Sequence, residues 1–521
     1  MNKASERTSP SKETPPAGRF RPKKFQNTRK RLLSSALTTI SWVGPGIARF
    51  GIIRKPLLRS MEKHIRDSSR RQAEGGRMPP RVVADRMEIG VTIMNTIGRA
   101  MAQKRISRSS IGKLLKNLGR DSLMKLGGFQ ARVRFVNTYG VRAPEVLLIS
   151  PTKVCNLRCK GCYADSTSEL EKLSWPVLDR LVSEVRDLWG ARFVVFSGGE
   201  PLAYKDEGHG VLDLAEKHPE LFFMMYTNGT LIDDAVARRM GKLGNVMPAI
   251  SIEGLREKTD ARRGPGVFDK IVAAMERLRR AKVMFGVSIT ATRENVEEIM
   301  SDPVIDFYFQ EQGALFAWLF HYMPIGRAIT LDLMPTPEQR LWMWKRSWEL
   351  IKDRRLFIAD FWNGGTTARG CISAGRQGGY MAVCWNGDVV PCVFMPYSPV
   401  NVNDAYAKGQ TLNDIWAHPF FEHVRNWQNA YGYGKTFALQ SGELKNWMMP
   451  CPIRDHYKDF HPWLEKYGVK PLDDNAKEAM LDPEYLEGMA EYNRQVAELL
   501  DPIWEKVYLD PDYRIPAEDE E

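Results

Sequence analysis

From Glu145 onward the apolar positions follow two alternating patterns. Short, nearly continuous apolar runs occur at Val146–Ser150, Arg192–Phe196, Leu221–Tyr226, Val246–Ile252, Val283–Ala291 and Leu315–Tyr322, with the length and β-branched or aromatic bias of buried strands. Between them, Trp175–Leu188, Gly210–Lys217, Asp233–Leu243, Val267–Arg279 and Val296–Tyr308 carry apolar residues at helical spacing. Six such units predict an α/β fold, a parallel sheet curled into a partial (β/α)6 TIM-like barrel under a layer of helices. Barrel sites lie at the carboxyl ends of strands, and the unusual stretches of this chain fall there. They are Cys155–Cys162 after the first strand, Ser197–Pro201 after the second, Thr227–Thr230 after the third and Ser251–Gly254 after the fourth. Thr290–Asn295 and Met323–Arg327 follow the fifth and sixth.

Outside this core the pattern is helical. Residues 1–30 are Pro-, Ser-, Lys- and Arg-rich with few apolar positions and read as a disordered basic tail. Residues 31–143 read as a basic amphipathic helical region: Leu32, Ala36 and Ile40 form one stripe, Met87, Val91, Met94 and Met101 a second, Ile111, Leu114, Leu115 and Leu118 a third, before a Gly127-Gly128 hinge. The run Leu32–Ala48 is too short to span a bilayer. Its basic flanks suit an interfacial segment, and its stripe equally suits packing on the protein's own body. The core is expected over 144–335, a linking helix starting at Thr336-Pro337 and a small α+β domain over 336–470, and a helical segment with an acidic tail, Glu518–Glu521, over 471–521. Trp342, Trp344 and Trp348 of the linking helix are expected to pack in a core.

Charge sharpens this division. Residues 1–143 hold 32 Lys and Arg against 8 Asp and Glu, a balance of +24, whereas the rest of the chain holds 43 against 55, a balance of −12. A basic arm on a mildly acidic body suggests an anionic partner, either a membrane surface or nucleic acid, or else a solubilising tail. No nucleic-acid-binding motif accompanies the charge, so membrane is the stronger expectation. Seven cysteines, an odd number, argue against a secreted disulfide framework, and the polar N-terminus has no signal-peptide core. A cytoplasmic protein, peripheral at the inner membrane surface, is expected.

The chemistry is concentrated in Cys155, Cys159 and Cys162, a C-x3-C-x2-C loop directly after the first strand. Three thiolates on one short loop suit a four-iron cluster with one iron left open, because such clusters otherwise take four thiolates. Zinc completed by a histidine, or unligated buried cysteines, are the alternatives. Two adjacent glycines at the end of the second strand, in Ser197-Gly-Gly-Glu-Pro201, allow close backbone approach to a ligand. C-x3-C-x2-C followed by Gly-Gly-Glu-Pro resembles the radical S-adenosylmethionine (radical SAM) enzymes. The resemblance implies that the open iron chelates the methionyl amine and carboxylate of SAM, that Gly198, Gly199 and Glu200 orient its amino group, and that one electron splits it to a hydrogen-abstracting 5′-deoxyadenosyl radical. It further implies that Tyr163 lies beside the adenine, and Asn228 and Ser251 near the ribose or methionyl group. Glu253 stands where many members have Asp.

The remaining cysteines, Cys371, Cys384, Cys392 and Cys451, lie beyond the core. Cys371 and Cys392 frame Gly387 as C-x15-G-x4-C, which resembles the SPASM/twitch extension that carries auxiliary iron–sulfur clusters. Four cysteines permit one cluster at most, and zinc is the alternative. Asn386-Gly387 is a preferred two-residue hairpin turn, which would pair Met381 with Cys392 and turn Cys384 to the opposite face. Cys371, Cys392 and Cys451 are therefore the expected ligands, with Cys384 left open because a bulge would re-aim it.

Taken with these residues, the resemblance implies a radical SAM enzyme with two [4Fe–4S] clusters, supplied by a flavodoxin- or ferredoxin-type electron donor, and the basic arm makes a membrane-proximal lipid the expected substrate. The resemblance to SPASM enzymes makes peptide or protein maturation the alternative. A non-enzymatic iron–sulfur or zinc scaffold or redox regulator is the alternative of another class, and Gly198–Glu200 speaks against it, since a scaffold has no use for an amine-binding strand end.

Overall fold

The computed structural model describes residues 51–113, 128–168, 170–432 and 444–516. The tail 1–30, the Leu32–Val43 stripe, Leu114, Leu115, Leu118, Gly127 and Glu518–Glu521 lie outside the described residues.

The centre is a parallel sheet of β1 (Val146–Ile149), β2 (Phe193–Phe196), β3 (Phe222–Thr227), β4 (Val246–Ile252), β5 (Gly286–Ala291), β6 (Phe316–His321) and β7 (Phe357–Asp360), adjacent in chain order. The α/β fold and parallel sheet agree with the pattern of runs, but the sheet is larger than six units. β7 is a short strand, Phe-Ile-Ala-Asp, and the Trp-rich helix Pro337–Lys352 is the crossover that delivers it rather than a linker that ends the core. That helix opens with a reciprocal cap between Thr336 and Gln339. Trp342 on its surface is 39% exposed rather than packed.

The second extension is at the other edge. β8 (Tyr380–Val383) joins β1 in parallel, with Val146 opposite Tyr380, and β9 (Asp388–Val390) folds back antiparallel on β8. The C-terminal region thus shares the sheet of the core. The run expected as one helix over Val296–Tyr308 is broken into Val296–Ile299 and Asp302–Asp306, where Pro303 interrupts the ladder.

The strands alternate. Along β6, Phe316, Trp318 and Phe320 line the interior of the curled sheet, while Ala317 and Leu319 are buried on the other face. His321, at the strand's carboxyl end, also reaches the interior cavity wall and pairs with Asp360 of β7.

Part of the basic arm belongs to this body. Helix α1 (Gly51–Glu74) lies along α2 (Pro80–Ala102), which buries Val82, Val83, Met87, Val91 and Met94. Charged groups tie the arm to it: Glu88, already paired with Arg66, takes Arg355 of the body, Arg86 donates to the Thr367 carbonyl and Arg99 to the Arg355 carbonyl. Ile106 and Ile111 pack with Met284 at the amino ends of the strands, where Ser107 N–H donates to Lys282 O at 2.9 Å. Gly128 opens α3 (Gly128–Tyr139), and a Cβ there would lie 2.5 Å from Gly190 O. Among the described residues no helix is long and apolar enough to cross a membrane.

Candidate functional site

The Cys155–Cys162 loop leaves the carboxyl end of β1 and is gripped by backbone from several strand ends. Gly199 N–H donates to Thr152 O at 2.9 Å and Glu200 N–H to Val154 O at 2.8 Å, so the Gly-Gly-Glu segment pairs with the chain that leads into the loop. Gly198 has φ +96°, and a Cβ on Gly199 would stand 2.2 Å from Val154 O; only glycine admits this contact. On the far side Gly326, at φ +68°, packs against the Cys162 and Tyr163 carbonyls. Arg327 donates to the carbonyls of Cys159, at 2.6 Å, and Ser166, and pairs with Asp165. Arg262 reaches the carbonyls of Lys160 at 3.1 Å and Gly161 at 3.3 Å.

Each thiol has a polar neighbour. Cys155 Sγ accepts from Leu157 N–H at 3.4 Å and Asn228 Nδ2 at 3.7 Å, Cys162 lies 3.7 Å from the Ser166 hydroxyl, and Arg263 approaches Cys159 Sγ at 4.0 Å. Burial pushes the Cys155 thiol up to about 11. Cys155 is therefore a weak source of free thiolate, and a bound cation would have to stabilise its ionised form.

The residues expected beside SAM divide in two. Tyr163, Gly198, Gly199, Asn228 and Ser251 lie with all three cysteines on the wall of one cavity of about 510 Å³. Tyr163 is fixed by its hydroxyl, 2.5 Å from Ser197 Oγ and 3.0 Å from Gly198 N–H. Glu200 is not on that wall. Its carboxylate accepts from the Thr227 hydroxyl at 2.7 Å and from Asn228 N–H and Leu202 N–H at 2.8 and 3.1 Å, tying β2 to β3. Glu253 is 1% exposed and takes both Arg262 and Arg263 at 2.5 Å through Oε1, while Oε2 has no partner. Sequence reasoning missed these two arginines, which close the short helix Arg256–Arg263 that follows β4, and it marked Arg327 only as part of the stretch after β6.

The cavity runs from the cysteine loop to the amino ends of the strands. Its lower wall is apolar and largely aromatic, with Phe193, Phe316, Trp318 and Phe357 prominent, and Phe193 is 44% exposed at that end. The charged side chains on it, Arg262 and Arg263, sit at the cysteine end. Ser251, Ser288 and Thr290 add a line of hydroxyls along β4 and β5.

A second cavity of about 290 Å³ lies behind β7 and β8, with Cys371, Cys392 and Cys451 on its wall and Cys384 absent from it. The hairpin that separates them does not have the expected register. Val383 pairs with Val389 and Ala382 with Val390, so the loop Trp385–Gly387 is one residue longer than a two-residue turn, with Gly387 at φ +90°. Tyr380, not Met381, therefore lies opposite Cys392, and the Tyr380 hydroxyl is 2.8 Å from Cys392 Sγ. By alternation Cys384 now shares a face with Tyr380. It is kept from the second cavity by distance, because four residues of strand span roughly 13 Å.

A scan against family descriptions matches residues 149–302 to the radical SAM superfamily and residues 371–436 to SPASM, an iron–sulfur cluster-binding domain. The chain carries a radical SAM domain with a SPASM-type extension. It is 29% identical to an AdoMet-dependent heme synthase of Methanosarcina barkeri, covering 41% of this chain and 60% of that protein. It is 28% identical to mycofactocin maturase MftC of Mycolicibacterium smegmatis, covering 56% of this chain and 75% of the maturase. The chain thus spans less than two thirds of the heme synthase and about three quarters of the maturase. Among solved structures, native anSMEcpe with bound AdoMet aligns with a TM-score of 0.47 at 20% identity, over 70% of this chain and 100% of that one.

A radical SAM domain implies a [4Fe–4S] cluster and SAM, and a SPASM domain implies auxiliary iron–sulfur. The donor sets fit. Each cavity has three cysteines on its wall, and thiolates are the usual ligands of such clusters. Among the described residues no three Cys, His, Asp or Glu side chains converge enough to hold a single metal ion; a cubane spreads its thiolates over separate corners and asks for no such convergence.

Proposed function

We propose that the chain is a hydrogen-abstracting radical SAM enzyme whose substrate presents an uncharged, apolar segment to the barrel cavity, as the acyl or alkyl chain of a lipid does. Cys155, Cys159 and Cys162 would hold the catalytic cluster, and Cys371, Cys392 and Cys451 the auxiliary one. When bound, the catalytic cluster and SAM supply a one-electron cleavage and a hydrogen-abstracting radical; a low-potential donor of flavodoxin or ferredoxin type provides the electron. Arg262 and Arg327 hold the cysteine loop, Arg263 places positive charge beside Cys159, and Asn228 braces Cys155. Ser251, Ser288 and Thr290 offer hydroxyls to the polar groups of SAM. The aromatic wall excludes water from the space that remains.

The observation that carries the substrate class is the confinement of cavity-facing charge to the cysteine end. An anionic or cationic reacting segment would have to shed its hydration there without a partner, at a cost of several kcal/mol. The likeness to mycofactocin maturase favours a second reading, modification of a peptide, which the same cavity would admit through an apolar side chain. Anaerobic incubation of reconstituted protein with dithionite and SAM is expected to release 5′-deoxyadenosine. A membrane lipid extract should increase that release and yield deuterium-labelled 5′-deoxyadenosine when the lipid chains are deuterated. Release of 5′-deoxyadenosine with no label from lipid, and label from a deuterated peptide library instead, would transfer the substrate to peptide.

A further inference from the structure

The two cavities share a wall, and one polar side chain in it touches both. Tyr380, Trp318, Phe361 and Phe394 line the barrel cavity and the second cavity alike. Of these Tyr380 carries a hydroxyl, and that hydroxyl lies 2.8 Å from Cys392 Sγ. The ring is 5% exposed and stands edge-on to Phe361, 6.5 Å between centroids. Its place is set by sheet register on one side, where Tyr380 pairs with Val146 of β1, and by the Tyr380 N–H donating to Ile372 O at 2.8 Å. Cys392 follows two residues after the last β8–β9 pair, Ala382 with Val390. Cys392 Sγ also accepts from Phe394 N–H at 3.4 Å, so the sulfur has one backbone and one side-chain neighbour of this kind.

We infer that Tyr380 is a positioning residue that tunes the auxiliary centre from the substrate side, its O–H donating to the Cys392 thiolate while its ring forms the wall against which substrate packs. The inference rests on the proposed ligation by Cys371, Cys392 and Cys451. Hydrogen bonds to cluster sulfurs are one of the protein's levers on reduction potential. A donated O–H stabilises the more negative, reduced state more than the oxidised one, and so raises the potential. Any substrate that fills the barrel cavity lies against the same ring, which places the tuning contact where substrate can reach it. Phenylalanine at this position would keep the wall and remove only the donor.

The test uses the full chain carrying Cys155→Ala, Cys159→Ala and Cys162→Ala, so that only the auxiliary centre remains after anaerobic reconstitution. Adding Tyr380→Phe should leave its iron in place and move its potential to a more negative value. A tenfold change in the reduced-to-oxidised ratio is about 59 mV for one electron, and the shift is expected to be of that order. Electron–nuclear double resonance of the reduced centre should lose one exchangeable proton coupling in the Phe variant, a signature that a purely structural role would not produce. If Tyr380→Phe sheds iron, 2,3-difluorotyrosine at position 380 decides instead: its more acidic hydroxyl donates more strongly, and the potential should rise. Iron retained with potential and proton couplings unchanged, or a difluorotyrosine chain whose potential does not rise, overturns the role of Tyr380 alone. A triple-alanine chain that holds no iron overturns the auxiliary-centre reading itself.

Discussion

A methyl group on Gly199 would stand 2.2 Å from the carbonyl oxygen of Val154. The strand end after β2 and the lead-in to the cysteine loop are in contact because one of them carries no side chain at that point. The loop's position is therefore tied to a glycine outside it.

Gly199→Ala should displace the Lys153–Cys155 lead and with it the catalytic thiolates. Reconstituted wild-type protein is expected to hold about eight irons, from two four-iron clusters. The alanine variant should lose about four of them and its SAM cleavage, while the auxiliary centre's spectrum persists. Iron analysis with electron paramagnetic resonance checks this.

Cys384 and Cys392 should behave differently. Cys384→Ala is expected to retain the auxiliary centre's iron and spectrum, because its sulfur is off the second cavity. Cys392→Ala is expected to lose or distort both. Equal losses from the two variants would place Cys384 among the ligands.

Arg340 and Asp455 form an ion pair with both side chains 0% exposed. Arg340 also donates to Met448 O at 3.0 Å and to the Asn363 side chain at 3.2 Å. Burial pushes the Asp455 carboxyl up, but the Arg340 guanidinium more than offsets this and holds it below the usual carboxylate range. Arg340→Met leaves Asp455 buried without its partner and should cost roughly 3–5 kcal/mol. Denaturant unfolding at neutral pH reads the loss. A folded carboxyl held low contributes stability above its unfolded value and loses it as pH falls through the folded one, so the gap between wild type and variant should narrow in acid.

Asp85 runs the other way. Burial raises its carboxyl to about 6, against the lowering effects of Arg81 and the Tyr508 hydroxyl. With the folded value above the unfolded one, the stabilisation is complete below the unfolded value and disappears as pH climbs through about 6. Wild type should therefore lose stability relative to Asp85→Asn between about pH 4 and pH 6, with no further divergence above. Unfolding midpoints across that range measure it.

Much of the site was legible one residue at a time. Cys155, Cys159, Cys162 and Gly198–Gly199 could be read from spacing, because their chemistry is local: a loop after a strand, and glycines where backbones must meet. Glu200 had the right motif, but its carboxylate binds Thr227, Asn228 and Leu202, a role that depends on where β3 lies. Arg262 and Arg263 follow a strand end that drew notice for other residues, and nothing in their spacing shows that Glu253 gathers them behind the cysteine loop.

The sequence by itself determined the alternation of strands and helices, the carboxyl-end placement of the cysteine loop and the two cysteine groups, because period, length and spacing are properties of neighbouring residues. Only the tertiary structure decided that Phe357–Asp360 is a seventh strand and that Tyr380–Val383 adds to the free edge of β1. Sheet edges are completed by whichever strand arrives, whatever its distance in sequence. The same holds for the hairpin: Asn386-Gly387 alone favours a two-residue turn, but β8 is already held in register by β1, and Val400 and Asn401 pair with β9 from the other side. With both flanks held, the turn takes one more residue, and Tyr380 comes to face Cys392. That contact is set by the pairing of three chain segments, and no local pattern encodes it.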